Sequence, residues 1–182
     1  MGKKDILLLQ NAIKYGLMTG GLLILVYLLI YIFELDSKGK ALNVLFGLIQ
    51  GVVLVWGICY GTIIFRRKEL NDKISYGYSL LSCLEIGVIA SLIVAVYQFL
   101  FYSFFDPEAF EEIVVKLIER IESNTRLPEN IMERQLIKYE NYTPFKLSLQ
   151  LFYSFVILTT IISLISSAFI KKTEPAISTD TI

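Results

Sequence analysis

Ile74 to Phe105 reads ISYGYSLLSCLEIGVIASLIVAVYQFLFYSFF, and Glu85 is its one charged residue. An α-helix rises about 1.5 Å per residue and the hydrocarbon core of a bilayer is about 30 Å thick, so about 20 apolar residues cross it. Three further runs carry no charge at all: Tyr15 to Phe33, Ala41 to Phe65 and Leu147 to Ile170. Each reaches or nearly reaches the spanning length. The sequence therefore predicts an all-α fold, an integral membrane four-helix bundle forming a single membrane domain. Its spans are expected at 15–33, 41–65, 78–105 and 147–170, with a helical insert at 106–146 and a disordered tail at 171–182.

Composition agrees: hydrophobic residues make up 55% of the 182 and charged ones 19%, too little polar surface to cover a soluble domain of this size. The 17 basic and 17 acidic residues balance, so nucleic acid is not an expected partner. Histidine is absent, which removes the commonest general base, metal ligand and pH switch together. Cys59 and Cys83 both fall inside spans, where they read as small buried thiols. The uncharged length of the first run exceeds that of a signal-peptide core, so it reads as a retained anchor.

Four passes put both termini on one side. That side carries Lys3, Lys4, Lys14, Arg66, Arg67, Lys68, Lys73, Lys171 and Lys172; the other carries Lys38 and Lys40 and an insert whose nine acids outnumber its six bases. By the positive-inside rule the termini and second loop are cytoplasmic and the insert is exported. In that insert, Asp106, Pro107 and Glu108 read as N-cap, first-turn proline and first-turn acid. Phe110, Ile113, Val114, Leu117, Ile118 and Ile121 then fall within an arc of about 140°, opposite Glu108, Glu111, Glu112, Lys116, Glu119 and Glu122, which predicts an amphipathic helix. A second start at Leu127 and Pro128 makes a helical hairpin, and Thr143 and Pro144 open the fourth span.

Within the spans, four small-xxx-small pairs stand out: Gly16 and Gly20, Gly47 and Gly51, Gly57 and Gly61, Gly87 and Ser91. This spacing lets helix backbones approach closely in lipid. On span two, Gly47, Gln50, Gly51, Gly57 and Gly61 share one helix face and Trp56 points away, so the whole face is expected to be a helix contact, with Gln50 hydrogen-bonding across it. Glu85 is the candidate intramembrane polar site, with Gln50, Ser82, Thr160 and Ser163 as expected neighbours. A charge at that depth costs on the order of 3 kcal/mol by insertion scales, so it reads either as a proton or cation site or as a protonated acid bonded between helices. No phosphate loop, metal-ligand spacing, nucleophile motif or pair of intramembrane carboxylates occurs. Neither a catalytic residue, a metal nor a cofactor is predicted, and the chain is not expected to be an enzyme.

The chain resembles a bacterial membrane family catalogued as domain of unknown function 4199. The resemblance rests on Lys14-Tyr15-Gly16 with Thr19-Gly20, on Tyr60-Gly61 running into Arg66-Arg67-Lys68, and on Ile74-Ser75-Tyr76-Gly77. It rests also on Phe105-Asp106-Pro107-Glu108-Ala109-Phe110 and Leu127-Pro128-Glu129. It implies four spans with a helical insert before the last, and it carries over no activity. Two functions fit: an accessory or scaffold subunit, which meets the lipid bilayer and a membrane protein partner or a second copy of itself, or a small oligomeric transporter or channel built around Glu85.

Overall fold

The computed structural model describes residues 2–33, 40–123 and 128–172. Its elements are α1 (Lys3–Ile32), α2 (Lys40–Glu69), α3 (Tyr76–Leu100), a π-helical turn (Phe101–Phe105), α4 (Pro107–Glu122), α5 (Glu129–Glu140) and α6 (Pro144–Ile170). Among the described residues there is no strand, only one isolated antiparallel bridge between Ile74 and Lys172. Four helices are long and apolar enough to cross a membrane: Lys4–Ile32, Val44–Glu69, Tyr76–Phe105 and Pro144–Ile170. The expected tail beyond Lys172, like Lys38 and Leu127, lies outside the described residues.

Two boundaries differ from the sequence reading. α1 starts at Lys3 and not at Tyr15. Asp5 accepts from the Gly2 amide at 2.8 Å, and Leu8, Ala12 and Tyr15, spaced at helical intervals, are all buried, so packing extends the helix through its lysines. The third span does not stay α-helical to Phe105. The Asp106 amide donates to the Phe101 carbonyl at 3.0 Å, a π-type closure, because Asp106 is already committed to capping α4 through Ala109 N at 2.9 Å.

The chain falls into two compact units, one comprising residues up to Val94 with those from Ser154, the other Ala95–Tyr153. In the first, α1, α2, the start of α3 and the second half of α6 form a four-helix bundle. Lipid tails are as apolar as leucine, so such helices associate by close packing and hydrogen bonding and not by hydrophobic burial. Glycines make the crossings. A Cβ on Gly16 would stand 2.6 Å from Ile89 Cγ2, one on Gly61 2.8 Å from Tyr15 Cβ and from Ile86 Cδ1, and one on Gly87 2.1 Å from Thr159 Cγ2. These contacts tie α1 to α3, α2 to both, and α3 to α6.

One end of this unit is closed by a clasp. Arg66 at the end of α2 donates through Nε to Asp72 Oδ1 at 2.9 Å and through Nη1 to the Ile170 carbonyl at 2.7 Å. Lys172 Nζ reaches the other oxygen of Asp72, and Ile74 and Lys172 exchange backbone hydrogen bonds. Asn71 and Asp72 make the tight reversal at φ 51° and 61°, a region that Asn and Asp tolerate. The hydrogen bond from Lys172, and then the charges of Lys172 and Arg66, hold the Asp72 carboxyl below its ordinary range. A folded-state value below the unfolded one means the ionised carboxylate contributes stability above the ordinary carboxylate range, and that contribution disappears as pH falls through the depressed value. Asp72→Asn is therefore expected to lower the melting temperature at neutral pH, and acid titration of both proteins should bring their melting curves together. A gap that persists unchanged into strong acid would show that the charge is not what the clasp uses.

In the second unit, α4 and α5 pair as a hairpin. Glu108, Glu111, Glu112, Lys116, Glu119 and Glu122 of α4 are exposed, whereas Phe110, Ile113, Val114, Leu117 and Ile118 are half-buried and Ile121 is buried. Aromatic rings mark the bend: Phe110 stacks on Tyr142, Phe99 meets Phe145 edge-on, and Phe104 and Phe105 are largely exposed.

Candidate functional site: a polar seam and an unpacked glycine face

In the first unit, α2, α3 and α6 meet along side chains that are small and polar. Thr62 Oγ1 donates to Ser82 Oγ at 3.1 Å and lies 3.3 Å from Cys83 Sγ; Cys59 Sγ donates to Ser166 Oγ at 3.4 Å. Ser79, Thr159, Ser163 and Ser167 are fully buried, and among the described residues their hydroxyl oxygens have no partner. Elsewhere the helices follow the usual rule that a buried hydroxyl bonds back to its own helix, as Thr19 does to the Tyr15 carbonyl and Ser91 to that of Gly87, both at 2.7 Å.

Glu85 sits beside this seam. The residue is half-buried, yet its Oε2 is fully buried with no partner among the described residues. The expected site assembles only in part. Ser82 is engaged by Thr62, and Ser163 lies in the seam, but Thr160 spends its hydroxyl on the Val156 carbonyl at 2.8 Å. The fully buried hydroxyls of α6 are instead Thr159, Ser163 and Ser167.

Gln50 does not join the site. Thr62 faces Ser82 and Ile58 faces Gly87, so the level of Glu85 on α2 lies between those two residues. Gln50 is at least two turns further along, about 12 Å by helix rise, and no hydrogen bond from its amide occurs among the described residues. A depth count along one helix places Glu85 well against α6 but cannot fix its register against α2.

The expected glycine face of α2 is also split. Gly57 and Gly61 are buried in contacts: a Cβ on Gly57 would stand 2.1 Å from Thr19 Oγ1. A Cβ on Gly47 or Gly51, on the same face, would meet nothing within 4 Å among the described residues, and Val44, Leu48 and Val52 around them are 64%, 63% and 67% exposed. Helices that cross at an angle touch over only a few turns, and the α1–α2 crossing is centred on Gly57 and Gly61. Of the other pairs, Gly16, Gly20 and Gly87 are packed, and Ser91 is buried next to Gly87.

Arg66 was the residue whose role the sequence concealed. In an Arg-Arg-Lys run it reads as a topology signal; the available clue was Asp72 six residues on, at the end of an Asn-Asp pair suited to a tight reversal.

Four membrane-length helices meeting through glycines around a neutral polar seam, with no metal-binding cluster of His, Cys, Asp or Glu among the described residues, define a multi-pass membrane protein. The chain belongs to the family described as Protein of unknown function (DUF4199), which matches residues 14–172. No curated protein and no solved structure matches it.

Proposed function

We propose that this protein is a non-catalytic accessory subunit that holds a partner membrane protein against the first turns of α2. One observation carries the reading: Gly47 and Gly51 keep the spacing for close helix approach, while the fold leaves that face uncovered. The matching pairs at 16 and 20 and at 57 and 61 are filled from within the chain. Affinity purification in mild detergent is expected to recover a stoichiometric membrane protein with the wild type and to lose it with Gly51→Leu, at unchanged melting temperature. Equal recovery with both would remove this face from the interface, and recovery of a second copy alone would make the protein a homo-oligomer.

The Lys/Arg asymmetry supports both termini cytoplasmic and α4, an amphipathic helix, on the exported side, in the bacterial inner membrane that the family resemblance implies. Single cysteines replacing Arg67, Lys172 and Glu119, in a background without Cys59 and Cys83, should react with an impermeant reagent in intact cells only at position 119. Labelling at 172 but not at 119 would invert the topology.

A small oligomeric transporter is the second reading, and the buried Oε2 of Glu85, without a partner among the described residues, favours it. Proton or cation flux in liposomes containing this protein alone would place it first.

A further inference from the structure

The uncharged run of α1 begins at Tyr15, which packs beside Gly61, and that of α2 ends at Phe65, about one turn further out, so both helices change from apolar to charged at the same end of the unit. A cavity of about 230 Å³ opens between them there, lined by Asn11, Lys14, Tyr15, Phe65, Lys68 and Glu69 among others. Its floor is the buried pair Tyr15 and Phe65, and its rim is the exposed Lys14, Lys68 and Glu69. Neither lysine forms an ion pair among the described residues; Lys14 Nζ is held 5.6 Å above the Tyr15 ring. Asn11 donates its amide to the Gly61 carbonyl at 3.2 Å, which leaves its own carbonyl oxygen to accept. Two ammonium groups and two acceptors thus surround this space, which is many times the roughly 10–15 Å³ that a single water needs.

We propose that this cavity binds a phospholipid headgroup that carries both a phosphate diester and an ammonium. Lys14 and Lys68 take the phosphate, as lysines at the hydrocarbon boundary reach into the headgroup layer. Glu69 and the Asn11 carbonyl take the ammonium. A purely anionic headgroup would bring its phosphate beside Glu69 and leave that carboxylate without a counter-charge. The position of the cavity at the end of both uncharged runs, with an aromatic floor, selects a lipid over a soluble phosphate.

The test is native mass spectrometry of the full-length protein released from micelles, with dioleoyl phosphatidylethanolamine, dioleoyl phosphatidylglycerol, phosphate-free dioleoylglycerol and soluble phosphoethanolamine as the probes. Phosphatidylethanolamine should bind best. Lys14→Ala and Lys68→Ala should each weaken it about fivefold, the effect of one basic group near a membrane surface. Glu69→Gln should erase the preference over phosphatidylglycerol, and Lys116→Ala on α4 should change nothing. These rim residues are exposed, so melting temperatures report whether each variant is folded. Dioleoylglycerol binding as well as phosphatidylethanolamine, or lysine variants that bind like wild type, would overturn the site. Phosphoethanolamine that displaces the lipid at equal concentration would make it a soluble-phosphate site and overturn the lipid assignment, and a preference surviving Glu69→Gln would overturn the role of the ammonium.

Discussion

Gly57→Leu is expected to leave little folded protein in mild detergent, whereas Gly51→Leu, six residues earlier on the same helix, should melt with the wild type. The first added carbon at position 57 would stand 2.1 Å from Thr19 Oγ1, 2.6 Å from its Cγ2 and 2.8 Å from its Cβ. Thr19 cannot swing away at small cost. It is β-branched and fully buried, and its hydroxyl is tied to the Tyr15 carbonyl, so any other rotamer breaks that bond and meets α2 with a methyl group instead. The helices must separate, and every contact that α1 makes with α2 over the neighbouring turns weakens with them. Overpacking a tight core typically costs about 1 to 3 kcal/mol, and a leucine wedged at a helix crossing belongs at or above the top of that range. At position 51 an added Cβ meets nothing within 4 Å among the described residues, and Leu48 and Val52 beside it are exposed. Circular dichroism melting of the two variants decides the matter; equal loss in both would mean that the face around Gly47 and Gly51 is packed after all.

The second large effect concerns Glu85, and its sign is unusual for a buried site. Glu85→Leu is expected to stabilise the fold. Oε2 is withdrawn from solvent without a hydrogen-bond partner among the described residues. An unsatisfied buried acceptor costs about 1 to 3 kcal/mol, and leucine removes that cost while keeping similar volume. Had Glu85 been a structural acid bonded between helices, the same substitution would strand its partners and destabilise by a similar amount. Reversible unfolding in mixed micelles separates the two signs. A Glu85→Leu variant more stable than the wild type would mean that the carboxyl is held at the expense of stability, as functional groups are. In that case Glu85→Gln, folded but without cellular activity, would move the transporter reading ahead of the accessory one.

The sequence was most legible where the bilayer leaves little choice. Length and absence of charge located all four spans, and Asp106-Pro107 and Thr143-Pro144 marked the starts of α4 and α6, where Asp106 caps at 2.9 Å and Thr143 Oγ1 receives the Lys146 amide at 3.3 Å. It was less legible at α1, where lysines in the first turns look like a flank but sit on a helix whose other side is buried through Leu8 and Ala12. For the candidate site, helix face and depth named Ser82 and Ser163, which the structure places in the seam, and Thr160, whose hydroxyl bonds back to Val156, while the glycine face named Gln50, which lies at least two turns away.

The reason lies in the solvent. By itself the sequence determined that four helices are long and apolar enough to cross and where their uncharged runs lie, though not that α1 begins at Lys3, since a backbone in hydrocarbon must satisfy its own hydrogen bonds and an uncovered charge is expelled. In water a polar face and an apolar face would also have told which side of each helix packs. In lipid every side is apolar, so Gly51 and Gly57 look alike until the point where α1 crosses α2 is known. That crossing, the Arg66–Asp72–Lys172 clasp and the missing partner of Glu85 depend on side chains brought together from distant parts of the chain, and only the tertiary structure decided them.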